Sequence, residues 1–587
     1  MRILAMVLLT GIPLLAQTEP DWVKRSNQNS QLLIQLTAKY APEAAARMGI
    51  PGLDEQITVR SIDRGERYRK DAADIRTELQ KRLDAERDPL VKQDLEILIA
   101  ATDRSIHSSS AYEHALLPYD NVAETVFGGL HALLDDQIAA ERRPAAVIRL
   151  RKYTGVEPGY KPVTLLAEQI YEERLQKNPS LLAPAKVEVE KDLSDTNQYV
   201  TGIGLLLEKY KMKGYEDAYA KLKDQLAQYD EFVRTKVLPR ARTDFRLPPD
   251  LYAINLENVG VDYPIDQLVS MAHQQFGDIQ NQMQQVAARV AKERGWNSSD
   301  YRDVIRRLKL EQLTGDTILP HYQKRLAEIE DIIRANHLVT LPTRPAIIRL
   351  ATAAETAQQP APHMVPPRLI NNHGERGEFV LPLETKGQGG KTLKYDDFTF
   401  SAASWTLTAH EARPGHELQF DAMVERGVSL ARALYAFNST NVEGWGLYSE
   451  WFMLPYMPDD GKLISLQLRL LRAARAFLDP ELQQGKVTPA QATDTLEKDV
   501  VLSPAFANEE VERFTFRMPG QAVSYFDGYN RLLEIRHAAE KALGSHFVVQ
   551  AFHDFILSQG LLPPNLLRKA VMDDFVPAQN KTVASGG

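Results

Sequence analysis

The sequence predicts a mainly α-helical protein. It forms a large multi-helix body of two lobes around an active-site cleft, with a small β-hairpin or edge sheet just before the helix that carries its paired histidines. Three observations predict this. Apolar residues recur at three- and four-residue spacing, with charged residues between them, through most of the 587 residues. The breaks between these stretches are short Pro/Gly turns such as Glu157-Pro158-Gly159 and Leu247-Pro248-Pro249. Only Leu341 to Thr399 loses the helical texture. The length exceeds one ordinary core, and no 20- to 50-residue repeat is visible. A soft boundary near 245–260 therefore divides an N-terminal helical lobe, 17–250, from a second lobe, 251–587, that carries the candidate site.

In chain order, Met1 to Gln17 comes first: Arg2, an apolar run from Ile3 to Leu15, then Ala16 before a polar stretch. This reads as a secretory signal over residues 1–16, against an ordinary N-terminal helix as the alternative. The expected location is periplasmic or secreted. No later segment is apolar for long enough to span a bilayer, so no stable membrane insertion is expected after cleavage. With no cysteine, disulfides and a lipidated N-terminus are excluded, and the core and any bound metal must hold the chain. Helices are predicted at Arg64 to Arg87, Val91 to Leu117, Val187 to Lys211, Asp217 to Val237, Leu268 to Arg294 and His321 to Asn336.

Between Leu341 and Thr399, prolines at 342, 345, 360, 362, 366 and 367 precede Glu378 to Glu384, the one convincing β segment, placed to run as a strand or hairpin along the cleft. Asn371, Asn372 and His373 precede it, and turn chemistry accounts for the asparagines. Gly387 to Thr392 superficially resembles a phosphate loop, but that pattern needs glycine where Thr385 stands; a mobile loop near the cleft is expected instead.

Helices resume at Phe400. The chemistry concentrates in Ser404 to Gln419, S-W-T-L-T-A-H-E-A-R-P-G-H-E-L-Q. The usual helical zinc motif sets histidines at i and i+4, with the glutamate after the first as general base. Here His410 and His416 are six apart, which on an unbroken helix turns them about 120° and separates them by about 9 Å. They can share an ion only if Pro414 and Gly415 loop two residues out of an H-E-x-x-H pattern. The alternative is a buried histidine beside a Pro-Gly helix stop, with the second histidine opening a separate helix. Ser429 to Met453 reads as one long helix. It offers a third ligand in Glu443, or in Glu450 two turns along the same face, which suits an outer partner of a ligand histidine. His537, His546 and His553 have no ligand spacing.

H-E-A-R-P-G-H-E-L-Q at 410–419, E-G-W-G-L-Y-S-E at 443–450 and P-G-Q-A-V-S-Y at 519–525 together resemble the bacterial domain of unknown function 885 family. These motifs cover roughly the last third of the chain. The resemblance implies a largely helical, zinc metallopeptidase-like protein. The E-G-W segment is also similar to the N-E-G-F-A segment of gluzincin aminopeptidases, whose glutamate is the third zinc ligand, and it falls on Glu443. Two residues depart from the family pattern: Glu417, where members often have histidine, and Gly446, where alanine is usual.

The expected centre is one Zn²⁺ held by His410, His416 and Glu443, with Glu411 as general base for peptide-bond hydrolysis. Tyr525 is the candidate oxyanion donor, Tyr529 the runner-up, and Arg536 a candidate for a substrate carboxylate. Alternatives are a zinc amidohydrolase acting on a non-peptide or cell-wall amide, and an inert helical binding or scaffold protein. The net charge of −8, from 70 basic and 78 acidic residues mixed along the chain, does not indicate nucleic-acid binding.

Overall fold

A computed structural model describes residues 20–386 and 392–586. The periodic stretches fold as helices close to their predicted limits. They are Arg64–Ala85, Pro89–Ala115, Lys186–Lys209, Glu216–Phe232 with a π turn at Val233–Val237, Ile265–Arg294 and Ile318–Ala335. The expected signal at 1–16 and the loop at 387–391 lie outside the described residues. No helix among the described residues is long and apolar enough to cross a membrane.

Each helix buries its apolar stripe in one of several cores. Asp21–Tyr40 packs on Arg64–Ala85 and Pro89–Ala115 through Leu33, Leu36, Leu79, Leu95 and Leu98. The helices of residues 122–237 close a second core around Phe127, Tyr199, Leu222 and Leu226, which Ala354 and Ala357 also enter from later in the chain. The largest core surrounds Asp459–Gln483. From Gly461 to Gln483 only Lys462 and Glu481 escape burial in this helix, so it is enclosed on every side rather than amphipathic. Ser439–Met453 and Val523–Leu543 cross beside it and build a third core.

The β region differs from expectation in its layout. β1 (Ile347–Leu350), β2 (His363–Val365) and β3 (Glu378–Leu381) form a sheet in the order β1-β3-β2. β1 runs parallel to β3, with Ile348 opposite Phe379, and β2 runs antiparallel to it, with Met364 opposite Phe379. The predicted strand is therefore the central one. All four of its residues are buried, and the consecutive apolar Phe379, Val380 and Leu381 suit a strand covered on both faces. The strand facing the cleft is β2, hidden in the proline-rich stretch. β4 (Glu384–Lys386) and β5 (Thr392–Lys394) pair as an antiparallel hairpin.

A second correction concerns 429–453, which is not one helix. A π turn at Ala431–Tyr435 stops short of Asn438, whose side chain accepts from the Asn441 N–H at 2.7 Å and starts a new helix at Ser439. Asparagine is among the best N-caps, so this local bond wins over continuous periodicity.

Candidate metal centre

The chain at the histidine motif is neither one helix nor a simple bulge. Ser401–Leu407 widens into a π turn over Thr408–Ala412, the chain turns at Arg413-Pro414-Gly415, and a new helix runs from His416 to Arg426. The Arg413–Pro414 peptide is cis. A Cβ on Gly415 would lie 1.8 Å from the His410 carbonyl oxygen, so only glycine lets the turn fold back this tightly. The exposed carbonyls of the turn are satisfied from the facing helix: Trp445 Nε1 donates to Pro414 O at 3.0 Å and Gly415 O at 3.2 Å. On the outer side Arg413 donates to Glu417 at 2.6 and 3.0 Å and to Glu330 at 2.7 Å. Glu417 thus braces the turn and does not line the site.

The helix break brings the two imidazoles together. Their ring centroids are 4.7 Å apart with the rings at 85°. Ser439–Met453 delivers Glu443 between them, its Oε2 3.5 Å from His410 Nε2 and 3.2 Å from His416 Nε2. One ligand atom from each of the three residues lies within 4.8 Å of the other two. Ligands about 2.0–2.2 Å from a tetrahedral ion sit roughly 3.3–3.6 Å from one another, so the two separations from Glu443 suit a zinc ion held by His410, His416 and Glu443. Gly446 permits the approach, since a Cβ there would come within 2.6 Å of His410 and 2.9 Å of His416.

Behind His410, Glu450 Oε1 accepts from Nδ1 at 2.7 Å, which leaves Nε2 facing Glu443. Thr406 donates to the other Glu450 oxygen, and Arg472 lies 3.4 Å from Oε1. Burial alone would lower the His410 pKa, but Glu443 and Glu450 outweigh it and raise it to about 9. Burial would raise the Glu443 carboxyl, yet the two histidines hold it well below the usual range. Glu411 moves the other way: burial pushes it up, against the neighbouring histidines.

His410, Glu411, His416, Glu443 and Tyr525 all line one cavity of about 450 Å³, with His363, Met364 and Pro366 at and beside β2 on its wall. The Tyr525 ring stacks 6.3 Å from His410 at 19°. Asp479 on the central helix accepts from Gly520 N at 2.9 Å, anchoring the turn that begins the Tyr525 helix. Tyr529 packs instead under Arg469, 5.5 Å from its ring, and Arg536 donates to Tyr448 and Glu540 outside the cavity. His553 is a core residue bonded to Tyr448 and the Leu338 carbonyl. Asn372 binds the Arg368 and Glu375 carbonyls, as turn chemistry expects. The site cavity shares Gln358, Gln359 and Arg513 with a cavity of about 280 Å³. That one shares Tyr119, Glu188 and Arg517 with another of about 710 Å³ against the N-terminal helices.

The chain matches, over residues 42–571, the family described as bacterial protein of unknown function (DUF885). It belongs to that family. Two solved structures resemble this DUF885 protein. A candidate lipoprotein of unknown function from Shewanella oneidensis is 17% identical, covers 94% of this chain and 100% of its own, and has a TM-score of 0.67. A candidate lipoprotein from Colwellia psychrerythraea is also 17% identical, with 94% and 99% covered and a TM-score of 0.71. At that identity the likeness is one of fold. No curated protein matches the chain.

The cationic cavity residues of the DUF885 chain escaped the sequence reading, and they are three: Arg472, Arg475 and Arg513. A signal existed for two of them. Arg469, Arg472 and Arg475 recur every three residues within an apolar stretch, R-L-L-R-A-A-R, so Arg472 and Arg475 are neighbours on the surface of a helix that is otherwise core.

Proposed function

We propose that this DUF885 protein is a zinc-dependent hydrolase that cleaves peptide bonds after export from the cytoplasm. The observation that carries the reading is the convergence of His410, His416 and Glu443, from both sides of a helix break and from a third helix, onto one point of a cavity that Glu411 also lines. A zinc ion bound there supplies a Lewis acid that polarises the scissile carbonyl and lowers the pKa of a water toward about 7.

The chain's own residues supply the remaining steps. Glu411, whose pKa burial has raised, accepts the proton of the attacking water on a carboxylate oxygen and returns it to the departing amine. Glu450 fixes the tautomer and tilt of His410 through Nδ1. Tyr525 Oη accepts from Arg513 at 3.2 Å, which leaves its own proton free to point at the developing oxyanion. The apolar run at Ile3 to Leu15 supports export, and the two solved relatives are themselves described as candidate lipoproteins.

The test pairs metal content with turnover on a fluorogenic peptide. Purified protein is expected to hold close to one zinc per chain, and His410→Ala or His416→Ala to release it. Glu411→Gln should keep the metal and lose about 10²- to 10⁴-fold in turnover. Unchanged zinc in both histidine variants removes the metal centre, and zinc loss in Glu411→Gln makes Glu411 a ligand and the assigned roles wrong.

A further inference from the structure

Beyond the metal ligands, the site cavity is lined by three arginines. Arg472 and Arg475 come from the enclosed central helix and Arg513 from the π turn at Arg513–Arg517. All three are almost fully buried, 3–5% exposed. They gather around Tyr525: Arg475 lies 4.4 Å and Arg472 5.7 Å from the ring, and Arg513 donates to its hydroxyl. A buried guanidinium is costly unless paired, so the counter-charges matter.

The pairing leaves one arm of Arg475 over. Arg475 uses Nε and Nη2 in a two-pronged bond to Glu510, and its Nη1 bonds to no other described residue. Arg472 donates from Nη1 to the Leu468 carbonyl at 3.1 Å and lies 3.4 Å from Glu450 through Nη2, which leaves only its buried Nε without a partner. Glu509, the partner of Arg513 at 2.9 Å, has one buried oxygen with no partner, and burial beside Glu510 pushes its pKa up. Carboxylates line the cavity as well, Asp397, Glu411 and Glu443, but Arg475 Nη1 is a donor that no described residue takes up, beside the apolar Leu468 and Phe506.

We infer that this arginine cluster is a subsite for the free α-carboxylate of a peptide substrate, making the protein a carboxypeptidase that cuts near the C-terminus. A charged guanidinium N–H bonds a carboxylate more strongly than any other peptide group. One tyrosine ring separates the guanidinium of Arg475 from the metal-ligating His410. An extended chain advances about 3.3–3.6 Å per residue, so a carboxylate held there places the scissile bond within roughly three residues of the C-terminus. In that reaction the C–N bond breaks, the acyl carbon takes the water's hydroxyl, and the released amine takes the proton. The inference rests on the hydrolase reading, and its test separates the two.

The probes are acetylated tripeptides: one ending in phenylalanine as the free acid, the same peptide as its C-terminal amide, and an amide whose last residue is glutamate. Binding to zinc-loaded Glu411→Gln protein is followed by calorimetry. The free acid is expected to bind about ten- to a hundredfold more tightly than either amide. The double variant Arg475→Gln/Glu510→Gln, which removes both members of one buried pair, should lose that preference and still bind the amide. Equal binding of acid and amide, no binding of any probe, or an acid preference that survives the double variant overturns the subsite. Preference for the glutamyl amide assigns the cluster to an acidic side chain and overturns the terminal-carboxylate assignment. If the acid preference appears but wild-type protein cleaves no peptide, the hydrolase reading falls and the subsite stands. If amidated peptides are cut as fast as free acids, the hydrolase reading stands and the subsite falls.

Discussion

At the scale of single residues, two carboxylates of one helix take different places. Glu443 and Glu450 are seven apart, two turns along the same face, and spacing alone could not rank them. Their neighbours do: Glu443 Oε2 faces the Nε2 atoms of both histidines, whereas Glu450 faces Nδ1 of His410 from behind. A direct ligand contributes to metal affinity outright, while loss of an outer partner costs about 10- to 100-fold. Glu443→Ala is therefore expected to abolish stable zinc binding, and Glu450→Ala to leave a weaker but occupied site. Competition against a chelator of known affinity ranks the two, and the reverse order sinks the assignment.

Elements set how accurately those residues meet. Ser439–Met453 and Val523–Leu543 cross at Gly444 and Gly528, where backbone touches backbone. A Cβ on Gly528 would sit 1.9 Å from the Thr440 carbonyl oxygen and 2.8 Å from Gly444 Cα. The contact cannot relax by turning a side chain, so Gly528→Ala must push the helices apart. Overpacking of this kind costs about 1–3 kcal/mol. Glu443 adjoins Gly444, so the same shift should move its carboxylate relative to the histidines. The expected result is a lower melting temperature together with weaker zinc binding than wild type; a variant matching wild type in both measurements contradicts the close crossing.

For the whole molecule, the consequence of so much burial is a pH-dependent stability. Asp527 is fully buried with no hydrogen-bond partner on either oxygen, and burial, reinforced by Asp262, raises its pKa to about 7. Burial likewise raises Asp479 to about 8. A folded carboxyl with a raised pKa holds its proton where the unfolded chain has released it. Its contribution is complete below about pH 4 and is lost as pH rises through the folded pKa. Asp527→Asn removes one such group and should flatten the decline between pH 5 and 8 by on the order of 3 kcal/mol. Urea unfolding at both pH values measures this, and parallel losses in wild type and variant rule it out.

How much of this was legible in the sequence follows from the range of the interactions. Helix positions were readable because three- and four-residue periodicity is a property of neighbours along the chain, and Ile265–Arg294 falls within three residues of its predicted start. His410, Glu411, His416 and Glu443 were readable as residue types with zinc chemistry. Their convergence was not, because it depends on a helix break whose carbonyls are satisfied by Trp445, some thirty residues on. The predicted strand lay in the right stretch, but its central place depends on β1 and β2, too short and proline-flanked to be seen alone. Arg472 and Arg475 stood out as cations within an apolar run, yet the counter-charge of Arg475, Glu510, comes 35 residues later. Sequence by itself determined most of the helical segments and which residue types have metal-binding chemistry. Tertiary structure alone decided which of them meet, because a buried charge or ligand is defined by partners that only packing brings within reach.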